Sequence, residues 1–465
     1  MSDSTTPSAL PDAPGLRFAA DASRPAQSPA SRCAVPAAST APVADEAPPT
    51  PDVRVLVLTP WAVPAARAGT ATRADAVVQA EAAAPASADA AVPVVLADLP
   101  DQAAEADAVA LVAPDDPACP AVLPPGASPP DLLSEALSDT LSEPRTEEVL
   151  ALVRACTGGD PVLCPVSDLT DVVDKLTETA AAVLLLGAAD VLADAPVEDL
   201  GRSRLNTLAL EELAAPDGPD RLVAALLSAQ HPPRARVVAL TGARGGLGTS
   251  TFLLHLARAC TVAGARVALL DADPAGGLGL LIGDDVVPGL RWGDLPAEEA
   301  AFRPDRLVPA LPTWLGMPVL TGDGRGGASS PACVGPALEA LRAYHDLVLV
   351  DLPRGAEVPS GCLVLLVTGL DLRSAVAAEA LAARARPAEG GSVALAVRLV
   401  GEDVTADDLT VMARAPVVAR IPHDRAVAQR VARGDDPTRG RGGARRAARA
   451  VAAELVGLVG TERPW

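Results

Sequence analysis

The residues best suited to chemistry lie in one stretch, VVALTGARGGLGTSTFLLHLA at 237–257. An apolar run of strand length leads into the glycine-rich segment 242–248 and then directly into a helix-forming segment. Gly245, Gly246 and Gly248 let the main chain turn tightly and aim successive N–H groups inward, which makes an anion-binding nest. A helix starting near Thr249 adds the positive end of its dipole at the same point. Ser250, with Thr251 beside it, stands where a hydroxyl can ligate a magnesium ion shared with a phosphate. Strand, glycines, hydroxyl pair and helix in this order predict a phosphate site rather than a plain turn.

A loop of this kind ordinarily ends Gly-Lys-Ser/Thr, whereas here the residues are Gly248-Thr249-Ser250. Thr249 takes the place of the lysine that bridges the β- and γ-phosphates. Lys175, the one lysine in the chain, lies far upstream. Losing that charge removes stabilisation at the γ-phosphate, where positioning and electrostatics supply most of the catalysis. Three carboxylates follow at the ends of apolar runs: Asp271 and Asp273 in LLDADP, and Asp351 in DLVLVDLP. Further on stand Pro422 and Asp424 in IPHD, with Gly434 ten residues later.

The elements that must position these groups alternate regularly from residue 234 onward. Strands are predicted at 236–241, 266–271, 347–351, 363–368, 393–400 and 417–421, with a helix at 249–263. Several are continuous apolar runs, as expected of strands covered on both faces. The predicted fold class is α/β, a doubly wound and mostly parallel sheet. Upstream, 146–232 reads as a small α/β module, with helices at 147–156 and 169–180, strands at 161–164 and 183–186, and a helix at 220–229 entering the next domain. Before it, 53–59 looks like a buried strand, 94–96 and 108–112 like two more, and 53–145 as a whole stays unassigned. Residues 1–52 are rich in Ala, Pro and Ser, which predicts a disordered leader.

The run from Arg244 to Thr251 resembles KGGxGKTT, the deviant Walker A loop of the MinD/ParA superfamily of P-loop proteins. That resemblance implies ATP and Mg²⁺ as ligands and a homodimer in which Arg244, in place of the family's first lysine, reaches the partner's nucleotide. It also implies Gly245, Gly246, Gly248, Thr249, Ser250 and Thr251 around the phosphates, and Ser250, Asp271 and Asp351 about the metal. Asp273 would orient the attacking water, and Pro422 and Asp424 would border the adenine. Within the superfamily the chain is most similar to CpaE-like proteins, including septum-site-determining and TadZ-type localisers. Those proteins carry a receiver-like domain ahead of the P-loop domain, the order seen here as 146–232 and 234–460. The segment Pro288-Gly289-Leu290-Arg291-Trp292-Gly293-Asp294-Leu295 resembles the septum-site subgroup. Asp190 follows the strand at 183–186, but the paired acids and lysine of receiver chemistry are not found beside it, so an inert docking module is the expectation there.

Charge narrows the partners. Of the net −21, residues 1–233 hold 34 acidic against 12 basic residues, and 234–465 hold 25 against 26. An acidic, Pro-rich front half argues against nucleic acid as its partner. Seven cysteines without a CxxC pair and four unclustered histidines argue against a structural metal site and fit reduced thiols in a cytoplasmic protein. No apolar run is long enough to span a bilayer. Arg439, Arg441, Arg445, Arg446 and Arg449 lead into a predicted helix at 451–459, which suits either peripheral membrane contact or simple packing on the domain.

The sequence thus predicts a spatial regulator of the MinD/CpaE type, at most a weak ATPase, that positions septum or pilus/secretion machinery. Recruitment to the septum, the pole or the inner face of the membrane goes with that reading. An active dimerising ATPase switch is the alternative. A ParA-like DNA-partition ATPase is weaker, because a domain near neutrality without lysine is poorly equipped to neutralise phosphates.

Overall fold

In the computed structural model the described residues are 53–59, 129–138, 140–178, 182–195, 205–283, 288–386 and 392–458. The leader and the strands predicted at 94–96 and 108–112 lie outside them. The chain divides into two units, one formed mainly by 48–233 and the other by the residues from Arg234 onward.

The smaller unit holds a four-stranded parallel sheet of β1 (Val53–Thr59), β2 (Val162–Pro165), β3 (Ala182–Gly187) and β4 (Leu205–Ala209). Its order is β2-β1-β3-β4, the beginning of a flavodoxin-like, doubly wound sheet. The strand β1 comes from before residue 146, so this sheet is not confined to the predicted 146–232. It pairs with both β2 and β3, with Leu56 opposite Val162 on one side and Leu185 on the other. Alternation explains why one short strand can hold two layers together. Val53, Val55 and Val57 face one core with Leu184 and Leu186, and Leu56 and Leu58 face the other with Val183 and Leu185. Each fully buried leucine contributes about 1.5–3 kcal/mol.

Helices α1 (Pro129–Ser138), α2 (Glu143–Thr157), α3 (Leu169–Glu178), α4 (Ala189–Asp194), α5 (Leu210–Ala214) and α6 (Gly218–Gln230) complete this unit. Helix α6 buries Leu222 and Leu226 in the core shared with Val149 and Val153 of α2. It therefore belongs to this module rather than entering the next domain. Asp190 sits in the first turn of α4, and its Oδ1 accepts from the Val191 N–H at 2.8 Å. A carboxylate placed there complements the helix dipole without further chemistry.

The larger unit is built on an eight-stranded sheet. Its strands are β5 (Arg236–Gly242), β6 (Val267–Asp271), β7 (Thr313–Trp314), β8 (Met317–Leu320), β9 (Leu347–Asp351), β10 (Leu363–Gly369), β11 (Ser392–Arg398) and β12 (Val417–Ile421). The order is β12-β11-β10-β5-β9-β6-β8-β7, parallel except for the β7/β8 pair. Strands β6, β9 and β10 are buried along their whole length, as their apolar sequences require. From β5 the chain crosses to β6 on one flank, and from β9 it returns past β5 to β10 on the other. Ligands of open α/β sheets bind at such a switch point, outside the carboxyl ends of the strands.

Helices α7 (Thr249–Val262), α8 (Leu278–Ile282), α9 (Pro304–Ala310), α10 (Pro331–Arg342), α11 (Leu372–Ala385), α12 (Ala406–Ala413), α13 (Arg425–Ala432) and α14 (Gly443–Leu458) complete the unit. Helix α14 starts eight residues before the predicted 451, so Arg445, Arg446 and Arg449 lie within it. Its apolar face, Ala448, Val451, Ala452 and Leu455, is buried, and the helix packs on α7 and β12. The face that suited a membrane is thus covered by the domain itself. Among the described residues no helix is long and apolar enough to cross a membrane.

Candidate functional site

Strand β5 ends at Gly242, and α7 begins seven residues later. Gly246 and Gly248 both take φ of +79°, a left-handed conformation that side chains resist, and so the loop folds back over the helix start. Nothing stands within 4 Å of where a side chain at Gly245 or Gly246 would begin. Among the described residues, the main-chain N–H groups of Gly245, Gly246 and Gly248 donate to no protein acceptor. Gly245 and Gly246 are exposed, so these donors face solvent, and a cluster of them above a helix N-terminus can receive an anion.

Gly242 is needed for a different reason. A methyl group there would lie 2.7 Å from Thr249 Oγ1 and 3.1 Å from the Arg244 carbonyl oxygen. The Thr249 side chain is therefore folded back over the end of β5. We expect Gly242→Ala to displace the α7 start and to cost about 1–3 kcal/mol, as overpacking does. Urea unfolding checks this, and an unchanged midpoint would count against the close approach.

Sheet register brings the acids together. Asp271 and Asp351 are direct neighbours across β6 and β9, and Asp351 pairs with Leu240 of β5. Both carboxylates thus reach the carboxyl end of the sheet beside the glycine loop. Burial pushes the Asp351 carboxyl up to about 7; a hydrogen bond from Ser250 opposes this, while Asp271 and Asp273 reinforce it. Burial also raises Asp271. Its Oδ2 accepts from Thr321 Oγ1 at 2.8 Å and the Leu278 N–H at 3.0 Å, and its Oδ1 accepts from the Asp273 N–H at 3.2 Å. The Trp292 indole N–H donates to the Asp271 carbonyl at 2.7 Å. Asp271 is therefore bound by its own chain, while Asp351 and the Ser250 hydroxyl meet at the loop. Asp273 accepts from the Ala275 N–H at 2.9 Å and stays more open than Asp271.

Arg244 turns toward the opposite flank. Its Nε donates to Ser374 Oγ at 2.7 Å, and its Nη2 donates to Asp371 Oδ2 at 3.0 Å. Asp371 caps α11, which follows β10. At the far strand, Asp424 caps α13 by accepting from Ala426 and Val427, and it abuts Gly442. Pro422 is packed against Gly443 at the start of α14. Both residues predicted to border adenine are thus engaged with the chain's own turns. Between them and the loop stands Arg398, half-buried at the end of β11; burial lowers its pKa and the Asp424 charge opposes that.

Asp371, Ser374, Thr321, Trp292 and Arg398 were not among the candidates read from the sequence. The Asp-x-x-Ser spacing at 371–374 is a legible helix-capping signal. Nothing in spacing alone pairs it with a residue about 130 positions upstream.

Residues 235–389 match the family model described as cellulose biosynthesis protein BcsQ. The chain is 38% identical over 153 residues to the uncharacterized protein Rv3660c of Mycobacterium tuberculosis, covering 31% of this chain and 43% of that relative. It is 30% identical over 135 residues to the chromosome partitioning protein ParA of Caulobacter vibrioides, covering 26% and 49%. The match thus spans less than half the length of these curated relatives. Among solved structures, a ParA family ATPase from Chlorobium tepidum is similar at 16% identity and a TM-score of 0.41, covering 47% of this chain and 98% of that one. The septum site-determining protein MinD from Pyrococcus horikoshii, complexed with Mg-ADP, is similar at 20% and 0.40, covering 49% and 99%. The family-model match and the ParA relative support placing the glycine-loop unit in the MinD/ParA superfamily.

Proposed function

We propose that the chain is a nucleotide-binding spatial regulator of the MinD/CpaE-like type, which binds Mg·ATP at the β5–α7 loop and hydrolyses it slowly or not at all. The observation that carries this reading is the set of unpaired N–H groups at Gly245, Gly246 and Gly248 over the start of α7. Uncommitted, solvent-facing donors at a helix N-terminus fit a polyphosphate. Ser250 and Asp351 offer hard oxygen donors at the same place, and a buried carboxyl with a raised pKa is one that a divalent cation would favour in its ionised form. These two residues would hold Mg²⁺, with Asp271 fixing the loop between β6 and α8 rather than facing the ion. When bound, Mg²⁺ would neutralise charge on the phosphates.

Weak turnover follows from Thr249. Its side chain is uncharged and packs against Gly242, so the phosphate end of the site lacks its usual cation. A protein that binds nucleotide without fast hydrolysis can hold one assembly state, which suits a localiser of septum or pilus/secretion machinery. Homodimerisation over the loop face, with Arg244 reaching the partner's nucleotide, belongs to the same proposal. The active ATPase switch remains the second reading, favoured by the open carboxylate of Asp273 beside the Asp351–Ser250 pair.

The deciding experiment is binding and turnover of ATP by the full chain with and without Mg²⁺, beside Ser250→Ala and Asp351→Asn. Magnesium-dependent binding, lost in both variants and accompanied by little phosphate release, supports the regulator. Steady turnover abolished by Asp273→Ala would instead establish the switch. Absence of binding under all conditions would remove the nucleotide from the reading.

A further inference from the structure

Arg244 is the one cation in the segment 242–251, and its guanidinium is held on the flank of β5 away from the proposed magnesium site. Strand β10 lies on one side of β5, and β9 with β6 lie on the other. Ser250 lies near enough to Asp351, at the end of β9, for its hydroxyl to hold that carboxyl's pKa down. Arg244 instead reaches Asp371 and Ser374, in the turn and helix that follow β10.

The receiving surface is closely fitted. Ser374 is fully buried, its Oγ donates to Asp371 Oδ2 at 2.7 Å, and its N–H donates to Asp371 Oδ1 at 3.0 Å. Ser374 Oγ thus accepts from Arg244 while donating to Asp371. The side-chain atoms crowd Gly369, where a methyl group would come 2.9 Å from Asp371 Oδ2 and 3.2 Å from Ser374 Oγ. Two acceptors side by side match the planar fork of an arginine, which donates from two nitrogens at once. A lysine, with one compact ammonium, would not span them in the same way.

We propose that Asp371 and Ser374 form a latch that holds Arg244 back from nucleotide, so that the partner's loop in the proposed homodimer gains this cation only when the latch opens. The proposal rests on the nucleotide-binding reading above and adds a regulatory step to it. Arginine at 244 is then matched to its resting contact as well as to phosphate. Because the Arg244 side chain is 40% exposed, the pair is screened and its opening is easy enough for a ligand to drive.

Two measurements on the full chain test this. In the first, Mg·ATP affinity is titrated for wild type, Asp371→Asn, Ser374→Ala, Arg244→Ala and the Arg244→Ala/Asp371→Asn double variant. Asparagine caps a helix as well as aspartate, so α11 is kept. The latch predicts that Asp371→Asn and Ser374→Ala tighten binding, the former about three- to fivefold. It also predicts that Asp371→Asn brings no gain once Arg244 is gone. Weaker binding in Asp371→Asn, like that in Arg244→Ala, would show a positioning contact instead and overturn the latch, and so would unchanged affinity.

The second measurement is a urea-unfolding cycle over the same Arg244 and Asp371 variants, which needs no nucleotide. Non-additive midpoints are expected from an energetic bond, and additive ones would overturn it. If wild type, Asp371→Asn and Thr249→Lys all fail to bind Mg·ATP, the nucleotide reading falls and the latch's role with it, even where the cycle shows coupling. Failure of the latch alone would show as binding that ignores Asp371.

Discussion

Thr249→Lys is expected to tighten Mg·ATP binding by about ten- to a hundredfold in the full chain. The range corresponds to one charge-assisted hydrogen bond of about 1.5–3 kcal/mol. Residue 249 is the first of α7, directly after Gly248, so a side chain there starts beside the unpaired N–H groups of the loop. Wild-type Thr249 supplies no charge and rests over Gly242. Calorimetric titration of both proteins at one salt concentration measures the change. Affinity that stays the same would mean that the loop does not carry phosphate at its γ end, and the decayed-site account of slow turnover would be wrong. A large rise in turnover as well as affinity would show that the missing lysine alone separates this chain from an active ATPase.

The second large effect is on stability and concerns His255. This residue of α7 is 4% exposed, and its Nε2 has no hydrogen-bond partner among the described residues. Burial lowers its pKa from 6.5 to about 4, with Asp436 and Asp424 opposing and Arg258 and Arg430 adding to the fall. Those four groups come from α7, α13 and the turns on either side of α13, beneath which α14 packs on α7. Arg258 ties that region to the loop helix by donating to Thr438 Oγ1 at 2.8 Å and Asp436 Oδ2 at 3.3 Å.

The folded state binds the His255 proton less readily than the unfolded chain does. Its contribution to stability is therefore complete above about pH 6.5 and is lost as pH falls toward 4. At pH 5 the expected loss is about 2 kcal/mol, approaching about 3 kcal/mol below pH 4. Urea midpoints of the full chain at pH 7 and pH 5, beside His255→Leu, measure it. The leucine variant should lose most of the difference between the two pH values; an equal pH dependence in both proteins would assign it to other groups.

The two results join the local chemistry to the sheet. Both residues sit on α7, one at its first turn by the glycine loop and the other beneath the C-terminal helix. Loosening the His255 region should thus be felt at the glycine loop through one helix.

Much of this was legible in the sequence, because the signals are local. Continuous apolar runs such as 347–351 and 363–368, too short for buried helices, read as strands covered on both faces, and their bounds agree with β9 and β10 to within a residue. The glycine loop announced itself in the same way, since tight turns, main-chain donors and a helix start depend on neighbouring residues alone. Even the early strand at 53–59 was visible from its composition, although its partners were not.

Tertiary structure decided the rest, and in each instance the reason is distance along the chain. That β1 lies between β2 and β3 depends on pairing across more than a hundred residues, which no periodicity encodes. The division of labour between Asp271 and Asp351 could not be read from two similar strand ends. It arises because Thr321 and the Leu278 N–H close on the Asp271 carboxylate, while Asp351 has the loop hydroxyl of Ser250 beside it. Arg244 reads in sequence as a cation for phosphate, yet sheet order sets β10 beside β5 and brings Asp371 and Ser374 within its reach. Sequence determined which groups are present at the site; packing determined which of them are free to act.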